Sequence, residues 1–502
     1  MSKKFTSTVA GASILITAIS ILAKGFGFVR EMVFAGTFGL GKSYDVYLVS
    51  SVIPVTIFTV VYYIAQNYYI PLFAEARKAN NLEGFFSKNI FLFLFGNIIL
   101  TIVLYSLTGP IINFFLKSNS EELIQLAKKI YRMFLICIPF SALNAYIISY
   151  FQSDLEYRLP AYSQIIQNIL VILLIAILSK TIGILAIPIG FIIGTLFQFV
   201  FLFIYSFKIF NLGMLSGGYL LRSGIFNSSI VFVILIEVLG QFYMLADRYF
   251  FDKVDSGGIA AVNYGLNIFQ LPIIIFTFAL STAMFPKFSI SVANKDVNAI
   301  KKNIKDIMFV NIFIFVPIFF IMFFYGDTLI KIIYQRGKFT ADDTLLTFSL
   351  LKYLSISLLF YAIYGVLNKL FYSYNLTKVL FVLTIIGITL KIVLNIILVS
   401  PLKQNGLVIS TVITYMFFFI CAFIVFRNKI KLEFEMVYLN KFLLYFLNGV
   451  ISLVITALFP LAGLLRIIMF LLIFYMNLFI VKENTLVYFI ELKNNIISSW
   501  IK

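Results

Sequence analysis

The chain has 502 residues, 62% hydrophobic and 12% charged, with a formal net charge of +18 and a mean hydropathy of +1.03. A soluble globule of this length would need far more polar surface. Repeated apolar runs of about 20 residues instead describe a polytopic membrane protein, and unbroken runs without alternation select helices over a barrel. Histidine is absent, which removes His-based acid–base catalysis, Ser–His and Cys–His nucleophiles and most zinc sites. Cys137 and Cys421 both lie in apolar runs and read as inert fillers rather than a disulfide.

In chain order, fourteen apolar segments are predicted near 8–38, 45–70, 89–116, 125–151, 160–179, 182–207, 226–250, 257–285, 306–325, 344–371, 378–400, 405–426, 438–459 and 463–481. The first is expected to remain as a membrane helix rather than a cleaved leader, because it outruns a normal apolar core and carries Lys24. Basic residues concentrate in alternate loops, above all "KDVNAIKKNIKD" (295–306) and "RNKIKLEFE" (427–435). The positive-inside rule therefore accounts for the net charge without nucleic acid and predicts both termini in the cytoplasm.

The first segment poses the main question, in "AKGFGFVREMVFAGTFGLGKSYDVY" (23–47). Lys24 and Glu31 are two helical turns apart and share a face, Arg30 sits beside it, and Gly25 and Gly27 permit close approach. If the helix runs unbroken to Phe38, these charges fall inside the membrane and should face a cavity or a partner. If it stops near residue 29, Arg30 and Glu31 become interfacial anchors and Lys24 snorkels. Arg30 is a fixed cation whose planar fork suits phosphate or carboxylate, and Lys24 is a second point charge for the same anion. Asp45 and Glu31 are candidates to hold these cations when the anion is absent.

A faint repeat aligns "DVYLVSSVIPVTIF" (45–58) with "NYGLNIFQLPIIIF" (263–276), matching Pro54 with Pro272, and a second proline follows each. Duplicated six-segment halves with a mid-membrane site follow from this offset, and the prolines supply places to bend. The expected division is an N-terminal lobe 1–215, a second lobe 216–430, and two extra helices with a short tail in 431–502. Further candidates are Glu237, mid-segment, Asp247-Arg248 closing segment seven, and Lys391 deep in segment eleven, for cavity or coupling roles. Asn267 and Gln270, with Gln66, Asn67 and Asn263, add neutral donors. A net-cationic cavity suits an anionic amphiphile or a large polar solute. The sequence has no Walker loop, Rossmann fingerprint or metal cluster, so no cofactor is expected and energy would come from membrane potential, a monovalent-cation gradient or product removal.

At these residues the chain resembles the MurJ/MviN family of the multidrug/oligosaccharidyl-lipid/polysaccharide exporter superfamily. "KGFGFVREMVFAGTFGLGKSYDVYLV" is similar to its first-helix signature, residues 245–289 to its seventh and eighth helices, and "YQRGKFTADDT" onward (334–378) to its QRG-x-FT stretch. The resemblance implies an all-α membrane protein with about 14 helices in a V-shaped pair of six-helix lobes plus a C-terminal pair. It implies a flippase moving a lipid-linked glycan, chiefly the peptidoglycan precursor lipid II, across the bacterial plasma membrane without covalent chemistry, with membrane lipid around it and a monomer as the expected state. Arg30 matches the family's essential arginine, Lys24 stands where another arginine is usual, and Glu31 and Asp45 match acidic positions. The chain departs from the family in an uncharged segment two (56–71) and in Asn267, which replaces an arginine. A flippase for surface-polysaccharide units, or a cation-coupled drug antiporter of the same superfamily, are the alternatives.

Overall fold

The computed structural model describes residues 9–117, 120–210, 228–432, 435–481 and 483, without the side chains of 9–22, 24, 228–230, 278, 279, 282 and 283. Helices account for its architecture, and each of the fourteen predicted segments falls on helix. The first is unbroken, α1 (Val9–Phe38), so Arg30 and Glu31 lie inside a continuous helix and not at its end. It is followed by α2 (Lys42–Ile64), α3 (Ile70–Lys78), α4 (Leu82–Ser106), α5 (Thr108–Phe115), α6 (Glu121–Ser153), α7 (Arg158–Ile182), α8 (Ala186–Ser206) and α9 (Ser228–Arg248). The chain continues with α10 (Gly258–Pro272), α11 (Phe278–Ala293), α12 (Val297–Phe324), α13 (Gly326–Tyr334), α14 (Ala341–Ile356) and α15 (Leu358–Ser373). The last four are α16 (Thr377–Leu402), α17 (Gln404–Ile430), α18 (Met436–Ala457) and α19 (Leu464–Ile480).

By length and apolarity nine described helical runs are able to cross a membrane, or ten if a bent pair counts as one span, and α7 with α8 is a single run in that count. Several segments are broken where local chemistry demands it. The third segment splits at Leu107, ahead of the Gly109-Pro110 pair that cannot continue a helical ladder. The tenth bends by 53° between α14 and α15, where Ser355 and Ser357 turn their hydroxyls back onto the carbonyls of Lys352 and Leu354. The predicted proline bends take the form of π-turns. One spans Ala65–Tyr69, directly before Ile70-Pro71, and the other spans Ile273–Thr277, directly after Pro272.

The chain separates into two compact units. The first holds Met1–Ala260 with Arg336–Thr340 and Leu380–Gln404, and the second holds Ala261–Gln335, Ala341–Val379 and Asn405–Lys502. Neither is continuous in sequence, unlike the expected division at 215 and 430.

In the first unit α6 is the hub, packed against α2, α4 and α8. Gly190 and Gly194, one turn apart, let α8 press on α7. A Cβ at Gly194 would stand 3.1 Å from the Gln167 carbonyl. The hub is tied by interhelical polar bonds: Asn144 Nδ2 donates to Gln198 Oε1 at 3.1 Å, and Gln198 Nε2 donates to Ser163 Oγ at 3.1 Å. Apolar surface gives helices no reason to associate within lipid, so close glycine packing and such bonds supply the specificity. In the second unit α12 packs on α15 and α18. Rings fill its core: Tyr361 stacks on Tyr415 at 3.9 Å and Tyr415 on Phe269 at 5.9 Å. Gly449 leaves room for the Phe320 ring, which a Cβ there would meet at 2.3 Å.

Candidate functional site

Arg30 sits where α1 meets α7, and the first unit supplies its partners. Nη1 donates to Asn168 Oδ1 at 3.0 Å, Nη2 pairs with Glu31 Oε1 at 3.0 Å, and the guanidinium lies over the rings of Phe191 and Phe34 at 5.0 and 5.6 Å. Tyr44 Oη donates to the other Glu31 oxygen at 3.5 Å. Arg30 and Glu31 keep 22% and 18% of their side chains exposed, and Arg30 Nε has no hydrogen-bond partner among the described residues. The result is a half-neutralised cation, fixed by one amide and one carboxylate, with part of its side chain exposed. Lys24 lies on α1, but its side chain is outside the described residues.

Asp45 is engaged by backbone donors. It opens α2, is 1% exposed, and accepts backbone N–H bonds from Gly257 at 2.6 Å and Ala260 at 2.7 Å through its two oxygens. It thus caps the first turn of α10, where a carboxylate also complements the helix dipole. Arg248 is the foremost cation acting on it. The capped turn requires glycine. Gly257 has φ +81°, and a Cβ there would lie 2.4 Å from the Leu40 carbonyl.

The second charged group joins α9 to α16. Lys391 is wholly buried, its Nζ 2.8 Å from Asp247 Oδ1 and 4.9 Å from the Tyr243 ring centre, and Asn395 Nδ2 donates to the same Asp247 oxygen at 3.0 Å. Tyr243 and Asp247 are one helical turn apart, as are Lys391 and Asn395, so two facing stripes interlock. Lys391 is thus a buried, paired charge, one of the ways in which an ammonium is accommodated in an apolar bundle. Arg248, 3% exposed, has Asp247 and Asp45 as its strongest charged neighbours. Glu237, farther back on α9, meets the Tyr63 hydroxyl of α2. Asn267, half-buried, and Gln270, exposed, belong to the second unit.

Two loops complete the first unit. Lys338 N donates to the Gly36 carbonyl at 2.7 Å, and a Cβ at Gly337, whose φ is +56°, would stand 2.2 Å from that oxygen. The "QRGKF" stretch thereby docks its Arg336–Thr340 portion on α1 just beyond Arg30. Asp255 pairs with Lys403 at 2.6 Å on the surface, and the Lys403 ammonium holds its carboxyl below the usual carboxylate range.

Sequence reasoning missed Asn168, Asn395, Tyr243 and the role of Gly337. Asn395 carried a usable signal, lying four residues after Lys391 on one helix face. Asn168 stood out only as an amide at the start of an apolar run.

The family model described as "Lipid II flippase MurJ" matches residues 34–489. The chain belongs to the MurJ family. A protein of Borreliella burgdorferi described as "Probable lipid II flippase MurJ" is 24% identical over 441 residues, 84% of each chain. Among solved structures, "Lipid II flippase MurJ, inward closed conformation" superposes with a TM-score of 0.75 at 23% identity, covering 92% of this chain and 97% of that one. An inward-facing multidrug resistance MATE family transporter of the MOP superfamily gives 0.69 at 15% identity, covering 81% and 94%. These structural likenesses establish the fold as that of MurJ and its MOP superfamily neighbours.

Proposed function

We propose that this protein is the lipid II flippase of its cell, a multi-pass protein of the bacterial inner membrane that moves lipid II from the inner to the outer leaflet by alternating access. The match to the MurJ family along residues 34–489 carries this reading. Arg30 falls just before the matched range, so its role rests on its own geometry: a guanidinium half-buried in an apolar bundle, held by one amide and one carboxylate. A pyrophosphate arriving at this fork replaces Glu31 as the anion on Nη2, with Lys24 as a second cation. Glu237, Asp247, Arg248 and Lys391 hold the first unit together while it moves. The protein acts as a monomer with both termini in the cytoplasm. It makes and breaks no covalent bond, and draws on membrane potential or a monovalent-cation gradient.

The test is depletion in the native host, followed by assay of lipid II exposed on intact cells. Loss of exposure with lysis is the expected result. Unchanged exposure with loss of a surface polysaccharide would transfer the assignment to that glycan's lipid carrier, a reading favoured by the uncharged stretch 56–71. Arg30→Ala should abolish export at normal membrane abundance, and normal flux in that strain would remove Arg30 from the site.

A further inference from the structure

The first unit contains an apolar slot of about 760 Å³, walled by α2, α5, α9 and α16, with Ile53, Ile57, Ile111, Phe242, Ile392 and Ile396 among its lining. Thr56 and Tyr249 are the only polar side chains in that lining. Where α5 and α9 run out, Phe114, Tyr249 and Phe250 form an aromatic cluster, with Phe114 and Tyr249 centroids 4.9 Å apart and Tyr249 and Phe250 5.2 Å apart. Two exposed lysines ride on these rings. Lys117 Nζ stands 5.7 Å from the Phe114 centroid and 5.9 Å from that of Tyr249, and Lys253 Nζ stands 5.7 Å from that of Phe250. The acids of the same loop are Asp252, exposed and next to Lys253, and Asp255, already engaged by Lys403.

Lipid tails wet any apolar slot, so the slot alone selects nothing. The lysine pair at its mouth supplies the selection. Tyrosine rings and snorkelling lysines settle at the headgroup level of a bilayer, which puts ammonium groups at phosphate height with the slot running toward the hydrocarbon. A slot of about 760 Å³ is of ordinary ligand-cavity size and accommodates the parts of the acyl chains nearest the headgroup. We propose that this slot is a binding site for an anionic glycerophospholipid, with the chains between α2, α5, α9 and α16 and the phosphate at Lys117 and Lys253. The site is separate from Arg30 and takes a lipid that is bound rather than translocated.

Quenching by brominated lipids tests this in the full-length protein. Trp500 is the chain's single tryptophan. In a Trp500→Phe background, Phe242→Trp places a reporter on the slot wall, and the protein is reconstituted in phosphatidylcholine vesicles containing brominated phosphatidylglycerol or brominated phosphatidylcholine. Half-maximal quenching should need roughly thirtyfold less phosphatidylglycerol, which is the ~2 kcal/mol that two lysines supply at about 1 kcal/mol each. Lys117→Gln with Lys253→Gln should erase the preference without lowering thermal stability, and Lys117→Glu should invert it. Equal quenching by both lipids, or a preference that survives the double variant, would overturn the proposal. Displacement of phosphatidylglycerol by equimolar polyprenyl phosphate would also overturn it, by assigning the slot to the substrate's tail.

Discussion

The buried pair between α9 and α16 yields the sharpest stability prediction. Lys391→Met keeps most of the stem's bulk and removes the charge, leaving the Asp247 carboxylate with Asn395 at 3.0 Å and with Arg248 as a charged neighbour. Breaking a buried ion pair from one side costs about 3–5 kcal/mol, and the surviving partners place this variant near the lower end. Asp247→Leu takes the carboxylate away from the wholly buried ammonium, which keeps the Tyr243 face and the repulsion of Arg248, so it should lie near the upper end. The double variant removes both charges, and its loss should be about 1–2 kcal/mol, since Asn395 and Arg248 each lose a partner. The two single losses together then exceed the double loss by several kcal/mol, the signature of a direct pair in a mutant cycle. Denaturant unfolding in detergent, followed by size-exclusion profiles after heating, measures all four corners. A Lys391→Met loss below about 1 kcal/mol, or strict additivity across the cycle, would show that the pair is not formed and would refute the reasoning.

Asp45→Asn leaves one carbonyl oxygen for two backbone donors at 2.6 and 2.7 Å and should lower stability by about 1–3 kcal/mol, read as earlier hydrogen exchange at Gly257 and Ala260. Gly337→Ala places a Cβ 2.2 Å from the Gly36 carbonyl at φ +56°. It should cost about 1–3 kcal/mol, and protease sensitivity of the 335–340 stretch should rise with little effect on membrane abundance. The Asp255–Lys403 pair is exposed and should contribute only about 0.2–1 kcal/mol. Because the folded carboxyl titrates below its unfolded value, that contribution is present above the unfolded pKa of about 4 and fades as pH falls through the lower folded value. Asp255→Asn should abolish this acid dependence in a pH series of unfolding midpoints. Glu31→Gln frees Nη2 of Arg30 from its carboxylate, so binding of a pyrophosphate-bearing lipid should tighten several-fold in a direct binding assay. Unchanged affinity would show that Glu31 does not compete with the substrate.

How much of this was legible in the sequence depends on the range of the interaction. Apolar runs report burial in lipid directly, so all fourteen segments landed on helix, and the charge pattern in α1 singled out Arg30 and Glu31. Breaks inside runs follow local rules of smaller energy. The Gly109-Pro110 pair was a usable signal for the break inside 89–116, which was expected as one segment, whereas the serine back-bonds at 355 and 357 look no different from ordinary polar residues until the carbonyls they meet are known. Long-range choices were hidden. Nothing in "DVYLV" says that Asp45 reaches Gly257 and Ala260 more than 200 residues away, nor in "QRGKF" that Gly337 must clear the Gly36 carbonyl. The lysine at 391 was recognised as deep, but burial depth alone does not distinguish a cavity wall from a paired core charge.

What separates these cases is satisfaction rather than depth. Asp45 has both oxygens filled by backbone donors, and Asp247 holds an ammonium and an amide on one oxygen. An incoming ligand could gain such a group only by breaking several short bonds in a dry setting, where each lost partner costs more than it would in water. Arg30 differs in exposure and in the kind of partner it holds. It keeps part of its surface open, and one of its two bonds runs to the carboxylate of the adjacent residue, which a stronger anion can replace without unfolding anything. An intramembrane charge is expensive whichever role it has. The structural ones are recognised because the expense is already offset by fixed partners, and the functional one because part of that offset is still to be made by a ligand.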